Sequence, residues 1–216
     1  METFMADIFD LFKKIASENK SESGNIEYLV VGLGNPGEKY TYTRHNAGFL
    51  AMDYISQKLT CKVNRVKFKA LVGDCTIGGH RVLLMKPQTY MNNSGEAVRE
   101  AADFYKIPTE KIIVISDDVA QAPGRMRIRK SGSAGGQKGL NSIIVHLGTD
   151  QFPRIRIGVG EKPNPEYDMA DWVLGKIPEE DQKKMFSIFG CVNDAIPLLL
   201  DGKLDDAMGK FNGVKF

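Results

Sequence analysis

The chain has 216 residues, of which 42% are hydrophobic, and a formal net charge of +2, enough apolar sequence to bury a substantial core as one domain. Its three cysteines, Cys61, Cys75 and Cys191, are widely spaced and form no C-x-x-C pair, which argues against a disulfide framework and a zinc knuckle and for reduced thiols in a cytosol. No apolar stretch is long enough for a membrane span, and Asp and Lys interrupt the apolar positions of the first residues, so the expectation is a soluble cytoplasmic protein with no membrane partner.

Phe4, Ile8, Leu11, Phe12 and Ile15 fall on one stripe at helical spacing, and the polar stretch Ser17 to Asn25 follows. Residues 1–25 therefore read as an amphipathic helix and linker, and residues 26–216 as the main domain. Tyr28 to Leu33 reads as a buried strand. It runs into Gly32-Leu33-Gly34-Asn35-Pro36-Gly37, which matches the dinucleotide fingerprint G-x-G-x-x-G. That fingerprint needs its last glycine to open a helix whose free N–H groups take a pyrophosphate. Here Pro36 removes a donor and pushes Asn35 toward an extended backbone, so the glycines read as a tight bend that presents the Asn35 amide. The next helical spacing begins only after His45, through Ala47, Leu50, Ala51, Tyr54, Ile55 and Leu59. Asp53 lies inside that helix and cannot serve as the ribose-binding acid.

Phe68 to Ile77 and Arg81 to Met85 read as a hairpin turning at Gly78-Gly79. Ser94 is expected to cap a helix with Glu96 in its first turn and Ala97, Val98, Ala101, Ala102 and Tyr105 on one face. Ile112 to Ile115 is a continuous β-branched run suited to a sheet centre, and its end delivers Asp117-Asp118. Arg125, Arg127 and Arg129 alternate with Met126 and Ile128, placing three guanidiniums on one face of a strand. Ser131 to Gly139 is a glycine-rich loop feeding a helix through Leu140, Ile143, Ile144 and Leu147, a phosphate-cradle pattern that a plain surface loop would also match. Ile155 to Val159 supplies another strand. The last third reads as helical, with Asp171 to Leu174 closing over the core. Alternating strands and helices mark an α/β domain.

From Pro123 to Pro163 there are eight Lys or Arg against two acids, whereas the remaining C-terminal residues hold six Lys against ten acids. Charge alone favours a solvated sheet edge over a surface for an anionic partner, because such edges commonly carry lysine and arginine.

Of three histidines, His80 sits beside the hairpin turn and His146 follows a helix's apolar run. His45 lies in an irregular segment after the glycine bend, where a scaffold can hold it rigid yet exposed. Asp117, at the carboxyl end of a central strand, occupies the crevice position where open α/β sheets place ligands. It could accept the imidazole N–H, fix the tautomer and stabilise the imidazolium once His45 has taken a proton. No Gly-x-Ser-x-Gly elbow is present and no cysteine lies near a glycine-rich strand-to-helix turn, so water activated by His45 is the simplest nucleophile. A catalytic metal is not expected. Asn35 and Asn92 could orient that water and donate to an oxyanion.

These residues resemble those of the bacterial-type peptidyl-tRNA hydrolase family. The resemblance rests on Val31 to Gly37, Tyr40, Thr43 to Gly48, Lys86 to Gly95, Asp117-Asp118, Gly135-Gly136 with Gly139-Leu140, and Arg154 to Gly160, and it spans about Glu27 to the C-terminus. It implies one domain with a twisted mixed β-sheet flanked by helices, a monomer, and hydrolysis of the ester joining a peptide to tRNA, without a cofactor. His45 would be the general base and Asp117 its partner, with Asn35 distinguishing blocked from free amino groups. Tyr40, Tyr90 and Asn92 would hold the peptide and terminal nucleotide. Arg129 and Arg156, with Arg127 in the same stripe, would clamp the tRNA 5′-phosphate region.

The family's common loop reads Gly-Gly-His-Asn-Gly, whereas this chain has Gly135-Gly136-Gln137-Lys138-Gly139. Lys138 is expected to take over contact with the 3′-end phosphate or the oxyanion, donating but not accepting. A non-catalytic RNA-binding relative could dispense with His45 and Asp117, which are present. A nucleotide-dependent oxidoreductase would need the fingerprint helix and the ribose acid, which are not.

Overall fold

Apolar residues on both sides of β1 (Tyr28–Gly32) seat it in the middle of the sheet, with Leu29 and Val31 packed on one face and Val30 on the other. The computed structural model describes residues 25–216, so the apolar stripe from Phe4 to Ile15 and nearly all of its linker lie outside the described residues. β1 runs parallel to β4 (His80–Pro87) and β5 (Ile112–Asp118), and β5 runs parallel to β7 (Arg154–Gly158). Antiparallel strands β3 (Ala70–Ile77) and β2 (Arg65–Lys67) extend one side, and β6 (Met126–Arg129) closes the other. The result is a mixed seven-stranded sheet in the order β2-β3-β4-β1-β5-β7-β6.

Helices cover both faces. On one face, α1 (Ala47–Lys58), α5 (Glu179–Leu200) and α6 (Leu204–Phe211) pack on Val30, Leu84, Ile113, Ile115 and Ile157. On the other, α2 (Ser94–Tyr105) and α3 (Lys138–Leu147) pack on Leu29, Val31, Met85 and Val114. The short helix α4 (Met169–Leu174) packs against the segment that carries Arg44, whose N–H donates to the Gly175 carbonyl just after the helix. The α/β class and the strand and helix alternation expected from the sequence are observed.

The glycine segment works differently from expectation. Gly37, with φ of 105°, makes the bend, whereas Gly32 and Gly34 permit close contact. A Cβ on Gly32 would run into the Gly48 carbonyl, and one on Gly34 into the Phe49 ring. A side chain on Gly48 would strike the backbone of Leu33 in turn, so β1 and α1 touch backbone to backbone. Two short 3-10 turns, Glu38–Tyr40 and Arg44–Asn46, bridge the bend to α1.

Three local expectations need correction. Ser94 does not cap α2: its Oγ donates to the Met91 carbonyl, and the first-turn N–H of Gly95 is taken by Ser142 Oγ of α3 at 3.0 Å. Phe68 does not begin β3. It sits with Lys69 in a tight turn from β2, both at positive φ, where no glycine signals a hairpin. Asp171 to Leu174 does not close over the core, because only Val173 of α4 is buried.

Candidate active site

The site lies where β1, β5 and the start of α3 converge at the carboxyl end of the sheet. A cavity of about 570 Å³ opens there, lined by Asn35, His45, Asp117, Gln137 and Arg156 from the sheet side. Tyr40, Tyr90, Asn92 and Lys138 line it too, and Met169, Val173 and Leu174 of α4 form an apolar wall.

His45 Nδ1 lies 2.9 Å from Asp117 Oδ2, and both groups are buried, His45 more deeply than its irregular segment led one to expect. A carboxylate only accepts, so Nδ1 carries the proton and the lone pair resides on Nε2. The second carboxylate oxygen, Asp117 Oδ1, accepts from Gln137 Nε2 at 3.0 Å. Gln137 also caps α3, its Oε1 accepting from the Leu140 N–H at 2.7 Å. Gly139 has no side chain because Met91 Sδ and Gln137 Oε1 fill that space.

Asn35 is held at both ends. Its N–H donates to Asn46 Oδ1 and its carbonyl accepts from Asn46 Nδ2, which locks the bend beside His45. Asn35 Oδ1 accepts from the Met91 N–H at 2.8 Å, leaving Nδ2 as the end available to a ligand. That same bond holds Tyr90 at φ 57°, ψ 161°, a conformation costly for any residue with a side chain. The strained Tyr90 stands exposed at the cavity mouth, its ring edge-on to Tyr40 at 6.5 Å.

Arg127 and Arg129 point outward from β6, as their alternation with buried Met126 and Ile128 requires. Arg156 lies opposite Arg127 in register, yet its guanidinium turns inward: Nη2 pairs with Asp118 Oδ1 at 3.1 Å and packs against Gly135. It belongs to the cavity wall, apart from the exposed stripe. Lys138, the first residue of α3, is exposed at the rim.

The sequence reading missed three contributors. Gln137 carried no signal beyond its place where the glycine loop meets a helix. Asp118 stands out in the sequence only as the neighbour of Asp117, and it holds Arg156 and Gln121. Arg44, beside His45, stacks its guanidinium on Trp172 of α4 at 3.6 Å, and burial lowers its pKa. Through that stack the apolar wall is tied to the turn that carries the histidine. Among the described residues, no group of three or more His, Cys, Asp and Glu is placed to hold a metal ion.

The peptidyl-tRNA hydrolase family model matches residues 29–216, which takes in every residue of this cavity. The chain belongs to that family. A peptidyl-tRNA hydrolase of Caldicellulosiruptor bescii is 50% identical over 188 residues, covering 87% of this chain and 98% of the relative. One from Clostridium novyi is 48% identical over 188 residues, covering 87% and 99%. The crystal structure of peptidyl-tRNA hydrolase from Acinetobacter baumannii superposes with a TM-score of 0.82 at 38% identity, covering 90% of this chain and 98% of that one. The family's fold and the cavity thus coincide in one stretch of chain, and residues before 29 fall outside the match.

Proposed function

We propose that this protein hydrolyses peptidyl-tRNA, acting as a cytoplasmic monomer, with His45 as general base and Asp117 as its partner. The observation that carries the reading is the buried His45 Nδ1 to Asp117 Oδ2 contact at the floor of the cavity, in a chain of the peptidyl-tRNA hydrolase family. Its three cysteines are free thiols, which fits a reducing compartment, and no helix of the described residues is long and apolar enough to cross a membrane.

His45 Nε2 takes a proton from water as the water oxygen bonds to the ester carbonyl carbon. Asp117 steadies the imidazolium so formed. Asn35 Nδ2, Asn92 and the Lys138 ammonium are the donors at hand for the tetrahedral oxyanion. As the ester bond breaks, the departing ribose oxygen takes the proton back from His45. The products are tRNA with its terminal hydroxyl restored and the peptide acid, which releases its proton to solvent to become the carboxylate.

The apolar wall of α4 suits peptide side chains, and the Tyr40 and Tyr90 rings offer faces to a base or peptide group. Arg127 and Arg129 contact the tRNA backbone near its 5′-phosphate, and Arg156 steadies the glycine loop from inside. The test is incubation with N-blocked and free aminoacyl-tRNA, without added metal or cofactor. Selective cleavage of the blocked form supports the reading. Equal cleavage of both, or none of either, would contradict it.

A further inference from the structure

We propose that Gln137 is a positioning residue that sets Asp117 and, through it, the basicity of His45. The inference rests on the mechanism just given. Asp117 is 2% exposed, and a carboxylate so buried depends on its donors. Among the described residues it has two, His45 Nδ1 on Oδ2 and Gln137 Nε2 on Oδ1. The amide cannot be turned around: the Leu140 N–H can only donate, which places Oε1 at the helix start, and a carboxylate can only accept, which places Nε2 at Asp117. One side chain therefore fixes the carboxylate in rotation and fastens it to the first turn of α3.

An amide does this without a proton of its own to lose. The charged or titratable groups that line the cavity with Asp117 are His45 and Tyr40 from the 3-10 turns, Tyr90 before α2, Asp118 with its partner Arg156 from the sheet, Lys138 from α3 and Asp168 before α4. Arg156 is engaged by Asp118, and Lys138 is exposed at the rim. Gln137 is thus the neutral donor that holds Asp117 without adding a second ionisation beside His45.

Replacing its NH2 by oxygen separates this role from helix capping. Gln137→Glu keeps an acceptor for the Leu140 N–H and sets a second carboxylate against Asp117, which makes the His45 imidazolium harder to deprotonate. With N-blocked aminoacyl-tRNA, kcat is expected to fall about a hundredfold with KM nearly unchanged. The acid limb of kcat/KM moves up by about one pH unit. Gln137→Met, close in shape and uncharged, should lose about tenfold in kcat with a smaller limb shift. It carries the test if the buried charge of the Glu variant prevents folding.

Parent-like kcat and an unmoved limb in a folded Gln137→Glu protein would overturn the proposal. So would equal losses in both variants that merely track a lowered melting temperature, which would assign Gln137 to capping alone. His45→Ala is run alongside. If it stays active, the mechanism falls and this inference with it; if it is dead while the Gln137 variants are silent, only the inference falls.

Discussion

Arg154 and Arg129 face each other across β7 and β6 and do opposite things. Arg154 is 1% exposed and has become part of the scaffold: its guanidinium donates to the carbonyls of Gly132, Ser133, Asp150 and Phe152 and stacks on the Phe152 ring. Burial lowers its pKa, and it holds the base of the glycine loop in place. Arg129, on the exposed edge strand, has no such role and projects toward solvent. The same contrast separates the inner network of His45, Asp117, Gln137 and Asn35 from the outer arginine stripe. Inside, each polar side chain has a fixed partner and shapes the site; outside, the charge stands exposed to solvent.

Substitutions in the two regions should therefore fail in different ways. Asp117→Asn gives the largest effect, because the amide cannot stabilise the imidazolium: kcat should drop by roughly 10² to 10⁴ with substrate binding retained, as single-turnover kinetics will show. Arg154→Met takes the guanidinium away from four carbonyls, of which, among the described residues, only that of Asp150 keeps a backbone donor, the Phe152 N–H at 3.0 Å. Calorimetry should therefore record a loss of about 3 kcal/mol in stability, with activity reduced only as far as the glycine loop loosens. Arg129→Ala should leave stability and kcat untouched and raise KM several-fold, with the salt dependence of tRNA binding falling by about one phosphate contact. A drop in kcat there would erase the distinction between inside and outside.

The smallest effect belongs to the exposed pair of Lys69 and Glu96, 2.8 Å apart, which joins the β2 to β3 turn to α2. The hydrogen bond and charge of Lys69 lower the Glu96 pKa. A depressed carboxylate contributes stability above its unfolded pKa and loses it as the pH falls through the folded one. The Glu96→Gln variant should thus be slightly less stable than the parent at neutral pH, and the difference should vanish in acid melting experiments.

What the sequence made legible follows from the range of the interactions involved. Alternation and β-branched runs are local signals, so β1, β5, β6 and β7 were readable, as was the outward face of Arg127 and Arg129. His45 and Asp117 could be singled out separately because each stands at an element's end, and the fold brings them together across 72 positions. Gln137 was silent because its role is a contact twenty residues away in sequence, made by a residue type common on surfaces. The turn at Phe68 and Lys69 escaped because packing of Phe68 against Phe104 and Tyr105 holds a backbone that glycine usually supplies. Cys61 packs against β3, its Sγ donating to the Asp74 carbonyl at 3.7 Å, a contact that spacing gave no sign of.

The most direct measurement is the single-turnover rate of N-blocked aminoacyl-tRNA hydrolysis by the parent and by His45→Ala at saturating protein, with tRNA binding measured on the same samples. The expected result is a rate lower by roughly 10² to 10⁴ in the variant with affinity unchanged, as befits loss of a general base. A variant that hydrolyses the ester at the parent rate would contradict the assignment of His45.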